Sequence, residues 1–384
     1  MPKETQETIG RYHYSAVAHM AALRYLYGMA SNRLEDLSSN TGLKVSDSTQ
    51  WSLFEEAASR LLQFIFFLKT QAANSPVCHV DDTHLTILAI ARAIEEDQMA
   101  ALKAGKNPAQ VRSGIHTTNI TAVFPQGQIV LFSSGLHHAG EAIVAILKKR
   151  TVEEQVVLMV DAASANTSKL KEISADVKVA NCNSHAVRKF KELEKSEQET
   201  AKKLLLADHK TSEEVDFFLR GYKRIFENES KTKVMSSSER LEYHRNSSLP
   251  IMESMRERIN KTFNNKRIEP NSDVGKQYSY LLNHWKELTA FCCIENAPVC
   301  NNLSERMLKS AIRHRKNSLF FKNQLGAMVG DVFTSILMTA RANGLNPIEY
   351  IQNLLTYQDC WLQKPEDWLP WNYAATIENL TKQD

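Results

Sequence analysis

Carboxylate side chains in three separate stretches of the chain could act together on one substrate. Asp81, with Asp82 beside it, lies in a β-rich stretch. Asp161 ends an apolar run, and Glu305 begins a basic helical stretch. Acids that cluster raise one another's pKa, so they stay ionised together only where a cation neutralises them. Oxygen ligands without His or Cys favour Mg²⁺ or Mn²⁺. Two such ions, roughly 3.5–4 Å apart, can activate a water or a 3′-hydroxyl and stabilise the leaving oxygen in phosphodiester displacement.

Basic residues follow Glu305 in the stretch 301–321, NNLSERMLKSAIRHRKNSLFF. Their local excess of positive charge is larger than the net charge of +3 of the whole chain. At about 100° per residue, this helix would have an apolar arc and a basic arc, with Glu305 on the border between them. We expect the basic arc to hold a phosphate backbone. The basic residues are Arg306, Lys309, Arg313, Arg315, Lys316 and, just beyond the stretch, Lys322.

Glu305 also has a purely structural interpretation. With Asn302 as N-cap, Glu305 would stand at position N3 and complete a capping box. A cap explains neither the basic arc nor the two upstream strands that carry Asp81 and Asp161. We therefore interpret Glu305 as functional.

A third group of residues surrounds a C-x-x-H pair. Cys182 and His185 have the spacing of half a zinc site, but the sequence offers no partner pair to complete one. Arg188 and Lys189 follow at the same helix start, where backbone N–H groups favour phosphate. We expect His185, Arg188 and Lys189 to contact DNA, with a structural role for His185 as the alternative. The pair His137–His138 opens another helix and is predicted to cap it or to lie on the surface.

The elements that must position the acids follow one another as strand, hairpin, helix, strand, strand and a distant helix. This order predicts a mixed α/β sheet with a hairpin and a parallel pairing, at whose end carboxylates from separate elements can converge. The predicted strands are 76–90, 116–124, 129–136, 155–165 and 177–182, with a helix at 137–150 and a surface loop or partly helical insertion at 91–112.

The N-terminal stretch 8–73 has helical periodicity. Gly42, followed by Ser46 or Asp47 as a cap, predicts two helices joined by a turn. A helix-turn-helix and a plain helical hairpin share that layout. Asp47 and Glu55 would put negative charge on the would-be recognition helix, which favours the plain hairpin packed on the core.

The C-terminal half is predicted to be helical. Residues 190–290 have helical periodicity and no β-rich segment, so we expect a helical insertion outside the sheet. A later helix is predicted around 332–343, and another begins at Pro347. The tryptophans of the tail could form a stacking platform, but core or interface positions are commoner for this residue. They are Trp361, Trp368 and Trp371.

Length, composition and net charge limit the classes of protein to which the chain can belong. The chain has 384 residues, 43% of them hydrophobic, which is enough for at least one large core and for two or three domains. With 47 basic and 44 acidic residues, any nucleic-acid partner must be held by local patches. The six cysteines lack the spacing of a secreted scaffold, and the N-terminus lacks a signal-peptide core. We expect a cytoplasmic protein with reduced thiols and no membrane span.

Several motifs resemble one family. NNLSERMLK, RHRKNSLFF, NPIEYIQNLL and LPWNY resemble the C-terminal catalytic block of insertion-sequence-sixty-six-type transposases. DDTHL and MVDAASAN resemble the stretches around that family's two catalytic aspartates, and NCNSHAVRKF resembles its C-x-x-H-x-R-R-K-F segment. These motifs occur in the order of the family and extend from Tyr12 to the C-terminus.

The resemblance implies a retroviral-integrase-like RNase H fold with a helical insertion before the last acid. It implies a DDE triad of Asp81, Asp161 and Glu305 that binds two Mg²⁺ or Mn²⁺ ions. Asp82 is the alternative for the first position of the triad. Neighbouring strand residues point to opposite faces of a sheet, and this alternation does not show which of the two aspartates faces the site. The implied partners are the DNA of the element ends and of the target, further copies of the chain on DNA, and accessory proteins of the element. The implied location is the nucleoid of a bacterial cytoplasm.

Two departures from the family pattern keep other functions open. Cys300 stands where the family usually has Asp, and the leucine-zipper-like and zinc-binding N-terminal region has no counterpart. We therefore expect either an active transposase or a catalytically inactive DNA-binding remnant of a truncated, split or decayed copy. A third hypothesis is a phosphatase or glycosidase that uses Asp161 and Glu305. The basic stretch around Glu305 argues against a neutral sugar as its substrate.

The predicted domain organisation has five parts. The boundaries are 1–74 for a helical N-terminal region, helix-turn-helix or hairpin; 75–190 for the first part of the catalytic domain; 191–295 for the helical insertion; 296–345 for the final catalytic helices with Glu305; and 346–384 for the C-terminal helix and Trp-rich tail.

Overall fold

A computed structural model describes residues 7–162, 169–203 and 211–382. These residues fall into two compact units. The first unit contains residues 7–154, 169–176 and 303–382, and the second contains 155–162, 177–203 and 211–302. The predicted strand 155–165 is described only as far as residue 162.

Helices form most of the described chain, together with short strands. In chain order the elements up to the middle of the chain are β1 (Thr8–Ile9), β2 (Tyr12–His13), α1 (Tyr14–Ala21), α2 (Ser31–Asn40), α3 (Asp47–Ala73), β3 (Val77–His84), α4 (Leu88–Lys103), β4 (His116–Val123), β5 (Gln128–Gly135), α5 (Ala139–Leu147), β6 (Val156–Val160) and β7 (Val177–Asn181). The remaining elements are α6 (Asn183–Lys203), α7 (Glu213–Lys231), α8 (Ser237–Ser247), α9 (Leu249–Asn264), α10 (Asp273–Asn283), α11 (Trp285–Leu288), α12 (Asn302–Ser318), α13 (Gln324–Ala342), α14 (Pro347–Thr356), α15 (Gln358–Gln363) and α16 (Tyr373–Thr381).

The first unit contains an antiparallel sheet of β3, β4 and β5. The register pairs Val77 with Val123 at one end of β3 and His84 with His116 at the other. β4 and β5 form the predicted hairpin, closed by mutual backbone hydrogen bonds between Phe124 and Gly127. In the second unit, β6 and β7 pair in parallel. The chain is therefore of mixed α/β class, and the predicted hairpin and parallel pairing are both confirmed.

The outer edge of strand β5 is bonded to polar side chains of helix α13 and of Asn343, which directly follows it. Four residues advance about 6 Å along a helix, and two residues advance about 6.6–6.8 Å along a strand. A polar residue at every fourth helical position can therefore meet every second strand residue. This ladder satisfies the N–H groups that an edge strand otherwise leaves unpaired. The pairs are Asp331 with Ser134, Ser335 with Phe132, Thr339 with Val130, and Asn343 with Gln128, each with its strand N–H donating at 2.7–2.9 Å.

The N-terminal region agrees with the predicted hairpin of helices α2 and α3. Ser46 caps α3 by accepting a hydrogen bond from the backbone N–H of Thr49 at 3.2 Å. Leu53, Phe54 and Leu61 of α3 are buried, so the apolar side of this helix belongs to the core. The prediction of helix throughout 8–73 was wrong at its start, where β1 and β2 form a two-stranded antiparallel pair.

Helix α4 confirms the partly helical alternative of the prediction for 91–112. The stretch 88–103 is rich in Ala, Leu, Glu and Met, which have high helix propensity. None of its residues is fully buried, although Ile90, Ala91 and Ile94 are half-buried against a hydrophobic cluster that includes Ile115. The neighbouring prediction of β structure to residue 90 was too long, because β3 ends at His84.

The described part of the second unit, apart from β6 and β7, is helical. Between residues 190 and 290 its described residues form helices and no strand, as their periodicity predicts. Their core is aromatic: the rings of Phe190 and Phe218 stack at 4.7 Å, and Tyr278 lies 5.0 Å from Phe218. The domain boundaries proposed from sequence stay predictions.

The C-terminal tryptophans pack into the first unit. Trp361 and Trp368 are 2% and 1% exposed, and the indole N–H of Trp361 donates to the carbonyl of Leu354 at 2.6 Å. The core interpretation of these two residues is confirmed. Cys78, Cys182, Cys292, Cys293 and Cys360 are thiols that form no disulfide. Among the described helices, none combines the length and apolarity needed to cross a bilayer.

Candidate active site and basic groove

Asp81 and Asp82 lie on opposite faces of β3 and have different surroundings. The carboxylate of Asp82 accepts a hydrogen bond from the N–H of Ala139, the first residue of α5, at 2.9 Å. His116 Nδ1 lies 3.6 Å from the same carboxylate. Burial lowers the pKa of His116, while the charge of Asp82 acts in the opposite direction. Asp82 thus stabilises the start of α5, where negative charge is favourable.

Asp81 lies on the face of the sheet that α12 contacts. Its partner across the strand pair is Asn119 of β4, and directly opposed residues project to the same face. The side chain of Asn119 accepts a hydrogen bond from the hydroxyl of Ser304 at 2.8 Å. Both Asn119 and Ser304 are fully buried. The residue before Glu305 is thereby fixed to the neighbour of Asp81.

Helix α12, which belongs to the first unit from Leu303 onward, is bonded to the rest of that unit near both of its ends. Near its end, Arg315 donates to the Thr83 hydroxyl at 3.1 Å and also to the carbonyl of His84. Asn317 donates to the carbonyl of Gly28 at 2.8 Å. These bonds, with the Ser304 contact at the other end, hold the half-buried Glu305 in place. Because α12 already includes Asn302, that residue is not the N-cap of the capping box considered above.

The basic side of α12 lines a groove of about 310 Å³. Arg306, Lys309 and Arg313 are exposed and contribute to it, and Arg341 of α13 joins them from the facing helix. The described residues that line the groove include no acid. Such a surface attracts phosphate without reading sequence.

The groove includes one residue that the sequence analysis missed and omits three that it named, one of which is Lys322. Arg341 lies far from α12 in sequence, and no local pattern links the two helices. Lys316 is exposed but does not line the groove, and Arg315 is half-buried in its contacts with β3. Arg313 also has a structural bond, to the carbonyl of Leu26 at 3.1 Å.

Asp161 lies in the second unit, directly after the carboxyl end of β6, and is half-buried. Tyr280 of α10 has its pKa raised to about 12, chiefly by burial and then by the charges of Cys182 and Asp161. Tyr280 therefore lies within electrostatic range of Asp161. An acid at the carboxyl end of a parallel strand has the position that a catalytic carboxylate takes in many α/β proteins.

The C-x-x-H segment joins β7 to α6 in the same unit. Cys182 is buried, its carbonyl accepts from the backbone N–H of His185 at 3.2 Å, and its thiol accepts from the N–H of Asn301 at 3.1 Å. Burial raises the pKa of Cys182 to about 11, so this thiol is protonated at neutral pH. Arg188 and Lys189 are exposed on the first turns of α6, and Lys189 forms an ion pair with Glu192 at 3.1 Å.

The chain is thus of mixed α/β class, and its first unit contains a strand with Asp81, a helix start with Glu305 and a basic groove. The family model named Transposase IS66 family matches residues 10–329. The chain belongs to the IS66 family of transposases.

Curated relatives occur in Sinorhizobium fredii (strain NBRC 101917 / NGR234). The uncharacterized protein y4jD is 27% identical over 208 residues, which are 53% of this chain and 38% of that protein. The uncharacterized protein y4hP is 28% identical over 205 residues, 52% of this chain and 36% of that protein. The chain thus spans less than two fifths of the length of these relatives.

Proposed function

We propose that the chain is a DDE transposase that catalyses metal-dependent cleavage and strand transfer of insertion-sequence DNA. One observation carries the proposal: the buried Ser304–Asn119 hydrogen bond attaches the turn that holds Glu305 to the face of the sheet that holds Asp81. The same helix continues into the basic groove. Acids and phosphate-binding cations on one rigid helix suit cleavage of a phosphodiester.

The proposed triad is Asp81, Asp161 and Glu305, which would converge in an RNase H-like core. The donor set fits Mg²⁺ or Mn²⁺, because it consists of carboxylate oxygens. When bound, two such ions would activate the attacking water or 3′-hydroxyl and stabilise the leaving oxygen. The chain's own contribution is to hold its carboxylates at fixed positions, on a strand, at a strand end and on an anchored helix turn.

Asp81 is a better candidate than Asp82 for the first acid. Both are half-buried, but the Asp82 carboxylate accepts from the N–H of Ala139 and lies beside His116. Asp81 instead shares its face of the sheet with Asn119, which bonds to the Glu305 turn through Ser304.

The proposed partners follow from the same chemistry. The exposed cations of the groove would hold the phosphates of the element ends and of the target, and His185, Arg188 and Lys189 would add contacts from the second unit. We further propose that copies of the chain assemble on DNA, with accessory proteins of the element, in the bacterial nucleoid.

The catalytic proposal is tested by Asp81→Asn and Asp161→Asn. Each change removes a ligand charge but little volume, so we expect both to abolish Mg²⁺-dependent nicking of a plasmid that carries the DNA flanking the gene. Binding of the same DNA, measured by fluorescence anisotropy, should be retained.

Asp82→Asn is the matched control. It keeps an oxygen acceptor for the Ala139 N–H and loses the negative charge beside His116 and at the helix start, where that charge is worth about 0.3–1 kcal/mol. Nicking should therefore persist in this variant. Nicking at the wild-type rate by Asp161→Asn would refute the triad, and loss of nicking in Asp82→Asn but not in Asp81→Asn would move the first ligand to Asp82.

A further inference from the structure

The turn that follows α12 exposes two large apolar side chains. Leu319 is 66% exposed and Phe320 is 45% exposed. The backbone of Leu319 has a φ of 62°, in the left-handed region that costs a residue with a Cβ roughly 1–2 kcal/mol. A left-handed residue commonly ends a helix, but the exposure of two large apolar side chains does not stabilise the fold. Unfavourable geometry of this kind concentrates at binding sites.

The same turn is firmly attached immediately after Phe320. Phe321 donates its N–H to the carbonyl of Thr86 at 2.9 Å and accepts at its own carbonyl from Leu88 at 2.9 Å. Its ring stacks on His314 at 4.9 Å. Leu319 and Phe320 are therefore displayed on a rigid support.

A cleft of about 530 Å³ lies beside this turn in the first unit. Phe320 and the half-buried Trp51 give it flat aromatic walls, and Leu325, 40% exposed, adds apolar surface. Arg24 and the exposed Lys322 also line it. Asp47 is the one acid among its described lining residues.

These features match a nucleobase attached to a phosphate backbone. Aromatic side chains bind any unstacked base through its flat face, and nearby cations hold the adjoining phosphates. Apolar side chains such as Leu and Phe can also take the place of a base in a stack. Lys316, one turn before Phe320, and Lys322, just after it, extend positive charge to both sides of the turn.

We propose that this cleft binds one unpaired base of the DNA, with Phe320 stacking on it and Leu319 filling the gap left in the duplex. This role rests on the proposed function and adds to it, because the groove on α12 would contact phosphates while the cleft would select DNA that is locally unpaired. Opening a base step is cheapest at a mismatch, an end or a flexible step.

The test compares two duplexes of equal length, one fully paired and one with a single unpaired base, in competition for the full chain. Stacking of one base on an aromatic side chain corresponds to roughly a 5- to 100-fold gain in affinity. We expect a preference of that order for the unpaired duplex in the wild type. Phe320→Ala should remove it, and Phe320→Trp should retain it. Leu102→Ala is the matched control, because Leu102 of α4 is 65% exposed in the same unit and lies outside the cleft.

The outcomes distinguish failure of the base-binding proposal from failure of the proposed function on which it rests. Equal affinity of the wild type for both duplexes would overturn the base-binding role and leave DNA binding intact. Failure to bind either duplex would remove the proposed function and this role with it. A change of oligomeric state in Phe320→Ala, seen by sedimentation, would assign the turn to contact between copies of the chain and overturn the proposal.

Discussion

At the scale of single residues, the environment decides the role of a side chain whose type alone does not. Asp81 and Asp82 are identical in type and adjacent, yet one shares a face with Asn119 and the other stabilises the start of α5 through Ala139. The sequence shows two neighbouring acids but not which face carries α12, because that depends on contacts between residues more than 180 positions apart, such as Ser304 and Asn119. Arg341 was missed for the same reason.

Asp331 is a residue whose protonation should control stability. Burial of its carboxyl group raises its pKa to about 7, while hydrogen bonds from Ser134 and the charge of Lys69 act in the opposite direction. Between about pH 4, the ordinary aspartate pKa, and pH 7, the folded chain holds a proton that the unfolded chain has lost. The free energy of unfolding should therefore fall as pH rises through this window, by at most about 1.4 kcal/mol per pH unit from this group.

Asp331→Asn removes the titration while keeping an oxygen acceptor. We expect the free energy of unfolding of the variant, relative to the wild type, to rise steadily between about pH 4 and pH 7. Urea denaturation of both proteins at several pH values measures this difference and cancels the titration of all other groups. A difference that does not vary with pH would show that the carboxyl group is ionised throughout.

At the scale of elements, local sequence patterns predicted the helices and strands whose formation depends on contacts between nearby residues. The β4–β5 hairpin and the Ser46 cap of α3 depend on turn residues and alternation, and both are found. Helix α4 was predicted only as an alternative to a loop, because none of its residues is fully buried and helix propensity is its main signal. The four-residue polar repeat of α13 is visible in the sequence. The sequence does not show that this repeat bonds to the backbone of β5, because a strand that bonds through its backbone needs no particular side chains.

The ladder between α13 and β5 makes a prediction at this scale. The Thr339 hydroxyl accepts from the N–H of Val130 at 2.9 Å and donates to the carbonyl of Val130 at 3.1 Å, and Thr339 is fully buried. Thr339→Val keeps the shape but leaves a buried N–H without its partner, which costs about 1–3 kcal/mol. We expect a lower urea midpoint for unfolding of the first unit.

Thr356→Val is the control for that change. The Thr356 hydroxyl, at the end of α14, has no hydrogen-bond partner among the described residues, so its loss should shift the midpoint little. Equal shifts in the two variants would mean that the ladder contributes nothing beyond the packing of a threonine.

At the scale of the whole molecule, charge is concentrated rather than abundant. The net charge of the chain is only +3, so long-range attraction to DNA is weak, and affinity must come from local groups. The groove on α12 gathers four cations from two helices without an acid among its described lining residues. Binding should therefore depend on these few residues and on salt concentration.

The groove predicts a specific change in salt dependence. Lys309 and Arg341 are exposed, and no hydrogen bond or ion pair within the described residues is found for either side chain, which makes them the best pair to test. Each lost phosphate contact should reduce the slope of log affinity against log salt by about 0.9 for B-form DNA. The double variant Lys309→Gln/Arg341→Gln should thus bind all DNA sequences more weakly. The magnitude of its slope of log affinity against log salt should be smaller by roughly two. The matched control is Lys103→Gln with Lys106→Gln, which removes the same charge from exposed positions of the first unit outside the groove. If both double variants change the slope equally, DNA responds to the overall charge of the chain and the groove is not its path.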